Sequence, residues 1–440
     1  MYEILDKWIG INPEHTLQKI LHNTKVTFSD NMDAPLHRWF RFPAGFSAGL
    51  AELFLKLFSS SNSTVLDPFT GCGTTNVVAK TLGLPSIGIE RHPLLAWIAK
   101  VKTRDYNLNE LHTAIGNLLE KVKKELENLD ELKLDIDTKP ELLHKCYPRR
   151  VLCELYTVKE CVESIDRDEL RDLFMLALVC ILRKVTGVDV GWPYVLPKNK
   201  KRTPQPVYDA LKEQLLMMEK DLKQVNYDAN ARVDIYEADA RDLSFMDGNS
   251  VDVAFTSPPY LNNYDYADRT RLELYFLGWA SSWREITEKI RNKLIVSCSH
   301  QAKEMRLKEG LMPDNEINSE VRENLIRASE QLRAIKREKS GKKDYDIMII
   351  AYFNDMLKTM REVYRVLRQG AYYGMVVGDS APYGVYIPTD EYLAKIGRDV
   401  GFRDAKIFIL RRRGSKWKYL VDKKIRHNVQ LRESLILFKK

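Results

Sequence analysis

A chain of 440 residues that is 44% hydrophobic and 30% charged can bury a sizeable core, which excludes a disordered or fibrous protein. The net charge of +8 suits a polyanionic partner without proving one. Met1 to Lys7 carries acids where a secretory leader is basic, and the longest apolar run, 174–182, is too short to span a bilayer, so a cytoplasmic protein with no membrane role is expected. The six cysteines contain no C-x-x-C pair, so no metal site is expected and a reducing compartment suits them.

The first 30 residues read largely as a helical lead-in. His37-Arg38-Trp39-Phe40-Arg41-Phe42-Pro43-Ala44-Gly45-Phe46 is aromatic and basic, and each single ring suits core packing almost as well as a ligand. An amphipathic stretch, Ala48 to Phe58, leads into the apolar strand Val65-Leu66. That strand ends in Asp67-Pro68-Phe69-Thr70-Gly71-Cys72-Gly73-Thr74-Thr75. Gly71 and Gly73 let a ligand approach the backbone, and Thr74 or Thr75 opens the next helix. The turn has neither the G-x-G-x-x-G spacing of a dinucleotide site nor the G-K-[ST] of a phosphate loop. Ser86 to Glu90 is a second strand ending in a carboxylate, about twenty residues on, the offset at which an acid takes a ribose diol. A solvated strand end is the plainer reading of Glu90. Leu94 to Lys102 reads as a helix.

Residues 106–230 form a long, mostly helical insertion, with helical periodicity over Leu111 to Leu129, Val151 to Val162, Leu170 to Val185 and Tyr208 to Lys223. Gly191-Trp192-Pro193 interrupts it. Lys198-Asn199-Lys200-Lys201-Arg202 is a basic turn that suits nucleic acid and solvent equally. The sheet resumes at Val233 to Ala240, with Asp239 ending a strand. Val251 to Phe255 is a buried strand that runs into Thr256-Ser257-Pro258-Pro259-Tyr260. This places an unusual cluster at the carboxyl edge of a sheet, where open α/β sheets bind ligands. Pro258 and Pro259 stiffen the loop and fix its carbonyl directions. Ser257 adds a hydroxyl and Tyr260 a flat face, which together suit an aromatic ring carrying an exocyclic amine.

Residues 281–345 form a second insertion rich in Lys, Arg and Glu, with Ser340-Gly341-Lys342-Lys343 as a loop. A helix over Ala351 to Leu367 is stopped by Gly370. Ala371 to Ser380 is a strand and turn in which Asp379 either lines a target pocket or caps the turn. A helix over Glu391 to Val400 precedes a terminal strand pair, Ala405 to Leu410 and Ser434 to Phe438, joined through the basic stretch Arg411 to Lys418. Seven strands alternating with helices until a final strand-strand return predict an α/β fold with a mainly parallel sheet and one antiparallel strand near its edge.

With both motifs in view, the chain resembles the S-adenosylmethionine-dependent amino-methyltransferases of DNA. The resemblance rests on D-P-F-x-G-x-G-T-T followed by T-S-P-P-Y and covers roughly residues 37–105 and 233–438. Ser in the first position of the tetrapeptide is typical of the cytosine-N4 branch. The resemblance implies a Rossmann-like class I methyltransferase fold. Residues 1–105 would be its cofactor half and 231–440 its catalytic half, with the 106–230 insertion a candidate for target recognition. It implies that Phe42 and Pro43 pack over the methionine end of the cofactor. Pro68, Phe69, Gly71, Gly73 and Thr74 would cradle it, and Asp67 would lie near its amino group. Glu90 would take the ribose hydroxyls and Asp239 the adenine amine. Ser257, Pro258, Pro259 and Tyr260 would hold and polarise the target base. No cysteine follows a proline, which disfavours the covalent mechanism of cytosine-C5 enzymes. The expected function is site-specific methylation of cytosine N4 in DNA within a restriction–modification system. An RNA cytidine-N4 enzyme acting on ribosomal or transfer RNA is the alternative that the same pocket allows.

Overall fold

Seven strands form the central sheet of the computed structural model, which describes residues 13–21, 28–42, 45–191, 195–198, 203–225, 227–228, 230–262, 264–305, 311–339, 343–413, 418–420 and 428–440. In chain order the strands are β1 (Val65–Asp67), β2 (Ser86–Ile89), β3 (Val233–Tyr236), β4 (Val251–Thr256), β5 (Leu367–Gly378), β6 (Asp404–Arg412), the hairpin pair β7 (Lys418–Leu420) and β8 (Asn428–Gln430), and β9 (Arg432–Lys439). The sheet order is β3-β2-β1-β4-β5-β9-β6. Pairing is parallel from β3 to β5, and β9 runs antiparallel to both β5 and β6. This is the mainly parallel sheet with one reversed strand next to an edge that the alternation of elements predicts.

The order places β1 at the centre of the cofactor half, with Leu66 opposite Ile87 on one side and Ala254 on the other. Strands covered on both faces must be apolar throughout, and Val251, Val253, Ala254 and Phe255 of β4 are all buried. Helix α1 (Ala48–Phe58) buries Leu50, Leu53 and Phe54 at helical spacing. The Phe54 ring stacks on Phe255 at 4.4 Å between centroids. Such an aromatic pair is worth about 0.5–1.5 kcal/mol beyond its area burial. Helices α2 (Thr74–Thr81) and α3 (Pro93–Thr103) complete this half, and α4 (Tyr345–Val366) and α5 (Thr389–Val400) cover the other.

The 106–230 region is helical as expected, with long helices at Leu108–Glu127, Arg149–Glu163, Asp168–Ile181 and Val207–Gln224. Their apolar faces share one core with Leu94, Leu95, Ile98 and Val101 of α3. The fully buried Asp221 accepts hydrogen bonds from the Leu36 N–H at 3.1 Å, Arg38 Nε at 3.0 Å and Trp39 Nε1 at 3.0 Å. The aromatic and basic segment ahead of α1 is thereby tied to the insertion.

Three details differ from the sequence-based expectation. Strand β3 stops at Tyr236, so Asp239 lies in the following turn and does not end a strand. Its partner among the described residues, β2, runs out at Ile89 opposite Tyr236. Helix α4 starts at Tyr345 and passes directly into β5 at Leu367, so Gly370 does not stop it. Gly370 sits instead at φ +81° inside a bulge, where Val251 faces Leu367 but Val253 faces Tyr372. The 281–345 region contains helices at Trp283–Lys289, Ser299–Met305 and Ser319–Glu338. Residues 199–202, 340–342 and 414–417 of the basic and loop readings lie outside the described residues. No described helix is long and apolar enough to cross a membrane.

Candidate active site

The carboxyl ends of β1, β2, β3 and β4 open onto one cavity. Its floor is the Pro68–Cys72 turn with Thr74, its walls are Glu90–His92 and Ala238–Ala240, and Ser257 and Pro259 stand at its β4 side. Phe40, Phe42, Gly45 and Phe46 close it from the α1 side, Tyr266 from the segment that follows β4, and Lys293–Ile295 from the second insertion. Nine expected site residues therefore line one space: Phe42, Pro68, Phe69, Gly71, Thr74, Glu90, Asp239, Ser257 and Pro259. Asp67, Gly73, Pro258 and Tyr260 do not line it, and Pro43 lies outside the described residues.

The turn after β1 is held by its own polar groups. Asp67 is fully buried, and its Oδ1 accepts from the Thr256 hydroxyl at 2.5 Å and the Phe69 N–H at 3.0 Å. The first bond ties the β1 turn to the residue just before Ser257. Asp67 Oδ2 is buried with no hydrogen-bond partner among the described residues. Burial pushes this carboxyl up to about 6, against the pull of the Thr256 bond.

Glu90 accepts the Gly71 N–H on Oε2 at 2.8 Å and the His92 N–H on Oε1 at 2.7 Å. Each oxygen keeps a lone pair for a further donor. Burial raises this carboxyl to about 7. The two glycines have different tasks. Gly71, at φ +54°, faces open space, with nothing nearer to an added Cβ than the Phe69 carbonyl at 4.0 Å. Gly73, at φ +85°, would carry a Cβ only 3.1 Å from that of Ala99 on α3. Its lack of a side chain serves helix packing.

Asp239 is gripped by Arg241 through Nε at 2.9 Å and Nη2 at 2.7 Å. Burial would raise its carboxyl, but these bonds outweigh burial and hold it below the ordinary value. His92 bonds Thr270 Oγ1 through Nε2 at 2.8 Å, and burial pushes it down to about 4.

Burial, then the neighbouring Glu433, holds the Tyr260 hydroxyl well above its ordinary value, against the pull of Ser257. The Tyr260 hydroxyl donates to Glu433 Oε1 at 2.5 Å, and Glu433 also pairs with Arg411. The ring rests on Gly378, where an added Cβ would come within 2.9 Å of it. The Arg413 guanidinium sits 5.8 Å from the ring centroid. Asp379 lines no part of the cavity, and its Oδ2 takes the Tyr386 hydroxyl at 2.6 Å. Burial, then the neighbouring Asp390, raises it to about 7.

Sequence reasoning missed His37, Cys72, His92, Lys102 and Lys293–Ile295, all of which line the cavity. Cys72 stood between the two motif glycines. His37 opened the aromatic and basic segment and His92 stood two residues past Glu90, whereas Lys102 and Lys293–Ile295 come from segments whose approach only the fold reveals.

Strand order, Gly-rich turn and edge cavity define a Rossmann-like class I methyltransferase fold. The family model for N6 and N4 methyltransferases, described as DNA methylase, matches residues 3–100. Type II methyltransferase M.BsoBI of Geobacillus stearothermophilus is 28% identical, over 94% of this chain and 87% of that one. Type II methyltransferase M.AvaI of Nostoc sp. is 24% identical, over 90% of this chain and 84% of that one. Among solved structures, the rRNA methyltransferase aviRa from Streptomyces viridochromogenes aligns over 93% of this chain and 92% of that one, with 11% identity and a TM-score of 0.30; the strand order, not this likeness, defines the fold. Over most of its length the chain is thus similar to type II DNA methyltransferases, its first hundred residues match the DNA methylase model, and S-adenosylmethionine is its methyl donor. The residues present fit that donor: an open glycine at position 71 and, at Glu90, a cavity-facing carboxylate with spare acceptor capacity.

Proposed function

We propose that the chain is the modification methyltransferase of a type II restriction–modification system and that it methylates the exocyclic N4 amine of cytosine in DNA. The observation that carries this reading is that Ser257 and Pro259 share one cavity with Gly71 and Glu90. The target amine and the methyl donor would then meet without crossing solvent.

S-adenosylmethionine supplies an electrophilic methyl carbon on a sulfonium. Glu90 would accept from the ribose hydroxyls, Gly71 would let the backbone come close, and Asp239 would face the adenine end. Phe42 would cover the opposite, amino-acid end. The N4 lone pair is delocalised into the ring, so the amine is a poor nucleophile. Bonds from its N–H groups to the Ser257 hydroxyl and the Pro258 carbonyl would draw the nitrogen toward sp³ geometry. They tighten as positive charge builds there, so they favour the transition state over the ground state. Tyr260 would stack on the ring, a contribution of about 1–3 kcal/mol. A base in duplex DNA would have to be flipped to reach this depth. The 106–230 and 281–345 regions would supply the groove contacts that choose the site. A truncation of either that keeps sequence-specific binding removes it from that role.

The test is methyl transfer to duplex DNA and to total RNA, followed by nucleoside mass analysis. N4-methylcytosine in DNA is the expected product. N6-methyladenine overturns the base assignment, and methylated RNA alone overturns the DNA assignment.

A further inference from the structure

Three lysines among the described residues are almost fully buried: Lys80 at 2%, Lys102 at 2% and Lys440 at 5% exposure. Two of them have their protons taken. Lys80 donates to the Thr103 carbonyl at 2.6 Å and pairs with Asp105 at 2.7 Å. Lys440 donates to Asn249 Oδ1 at 3.0 Å and to the carbonyls of Tyr364 and Leu367 at 2.7 and 2.6 Å. Lys102 has no such partner among the described residues. Its polar neighbours are the thiols of Cys72 and Cys180 and the imidazole of His37. A buried ammonium without a counter-charge is costly, and burial lowers the Lys102 ammonium from its ordinary value, so an anion placed against it is strongly favoured.

Lys102 lines the cavity that also contains Gly71, Cys72 and Glu90. It stands at the last turn of α3, and lysine side chains on a helix lean back toward its N-terminus. That direction leads toward Ala99 and the Gly73 backbone against which Ala99 packs. His37, Phe42 and Gly45 line the same cavity. Glu90 and Asp239 belong to the nucleoside end, so the His37, Cys72 and Lys102 end is left for the amino-acid portion of the donor. That portion carries one group that an ammonium recognises, an α-carboxylate.

We propose that Lys102 is the counter-charge for the α-carboxylate of the cofactor, so that the amino-acid end is selected by charge from the helix following β2. This rests on the cofactor reading of the cavity. Lys102 takes no part in the transfer itself. It holds one end of the donor in place and makes the site discriminate the acid from uncharged analogues.

The test uses the full-length, ligand-free protein and titration calorimetry with three ligands: S-adenosylhomocysteine, its carboxamide, and 5′-methylthioadenosine, which lacks the amino-acid end. Wild type is expected to prefer the acid to the carboxamide by about 10- to 100-fold, the range of a charge-assisted bond. Lys102→Met brings that preference to within about twofold, while 5′-methylthioadenosine binds as it does to wild type. Lys102→Gln, which keeps a polar tip in the same space, is the second variant should the methionine protein fail to fold, and it carries the same expectation. A wild-type protein that binds 5′-methylthioadenosine but treats acid and amide alike overturns the inference alone. So does either variant that keeps the wild-type preference. A wild-type protein that binds none of the three overturns the cofactor reading along with it.

Discussion

The two glycines of the β1 turn should separate folding from binding. Both sit at positive φ, so an alanine at either position strains the backbone by about 1–2 kcal/mol. At Gly71 nothing further is displaced within the protein, because the added methyl enters the cavity. At Gly73 the methyl meets the Ala99 Cβ at 3.1 Å and its Cα at 3.2 Å, and neither belongs to a flexible tip. Overpacking of this kind costs about 1–3 kcal/mol more, so Gly73→Ala should lose about 2–5 kcal/mol in all. Urea unfolding of the ligand-free protein measures stability, and calorimetric titration with S-adenosylhomocysteine measures binding. Gly71→Ala is expected to stay within about 2 kcal/mol of wild type and to lose at least roughly tenfold in affinity. Gly73→Ala is expected to be clearly less stable, and at low temperature, where it is folded, to bind more nearly as wild type. If the Gly71 variant is the less stable one and retains its affinity, the division of labour between the two positions is wrong.

Three further outcomes follow from the site. Ser257→Ala should lower the rate of methyl transfer by about 100-fold, the scale of one lost transition-state bond, and leave S-adenosylhomocysteine affinity nearly unchanged; equal losses in both contradict the role of the hydroxyl. Glu90 is raised to about 7, and ribose hydroxyls donate better to a carboxylate than to a carboxylic acid. Binding therefore favours the ionised form, so the affinity ratio of wild type to Glu90→Gln should climb as pH rises from 6 to 8 and level off above it; a ratio independent of pH refutes this. Tyr260→Phe loses the bond to Glu433 yet keeps the ring, so the main loss, about 1–3 kcal/mol, should appear in thermal or urea stability. Tyr260→Ala should lower kcat/KM by much more than Tyr260→Phe, and equal kinetic losses would remove the stacking role.

What was legible in the chain was what adjacent residues decide together. An apolar run ended by glycines or prolines reads as a buried strand meeting an edge, and β1 and β4 stand where that reading places them. The helices of 106–230 were visible because their apolar stripe repeats at helical spacing. The end of β3 was not, because the alternation continues past Tyr236 while the pairing strand does not. Gly370 misled for a related reason. A residue at positive φ ends a helix or sits in a bulge with equal ease, and only the opposing residues of β4 decide which.

The candidate site divides along the same line. Glu90, Gly71 and Ser257 announce themselves because each stands just past the end of a strand, in or near a turn of unusual composition. Gly73 belongs to the same motif, yet what excludes its side chain is Ala99, on a different helix. Lys102 is the last residue of the helix that the pattern predicts, where a lysine ordinarily means a solvated end. Its meaning changes once Cys72, Cys180 and His37 surround it, and those three come from three separate parts of the chain. Lys293–Ile295 close the cavity from within a stretch whose charge-rich composition reads as surface. Sequence pattern reports how a segment treats water on average. A binding site is built from the exceptions to that average, so its distant members become readable only after the fold has brought them to one edge.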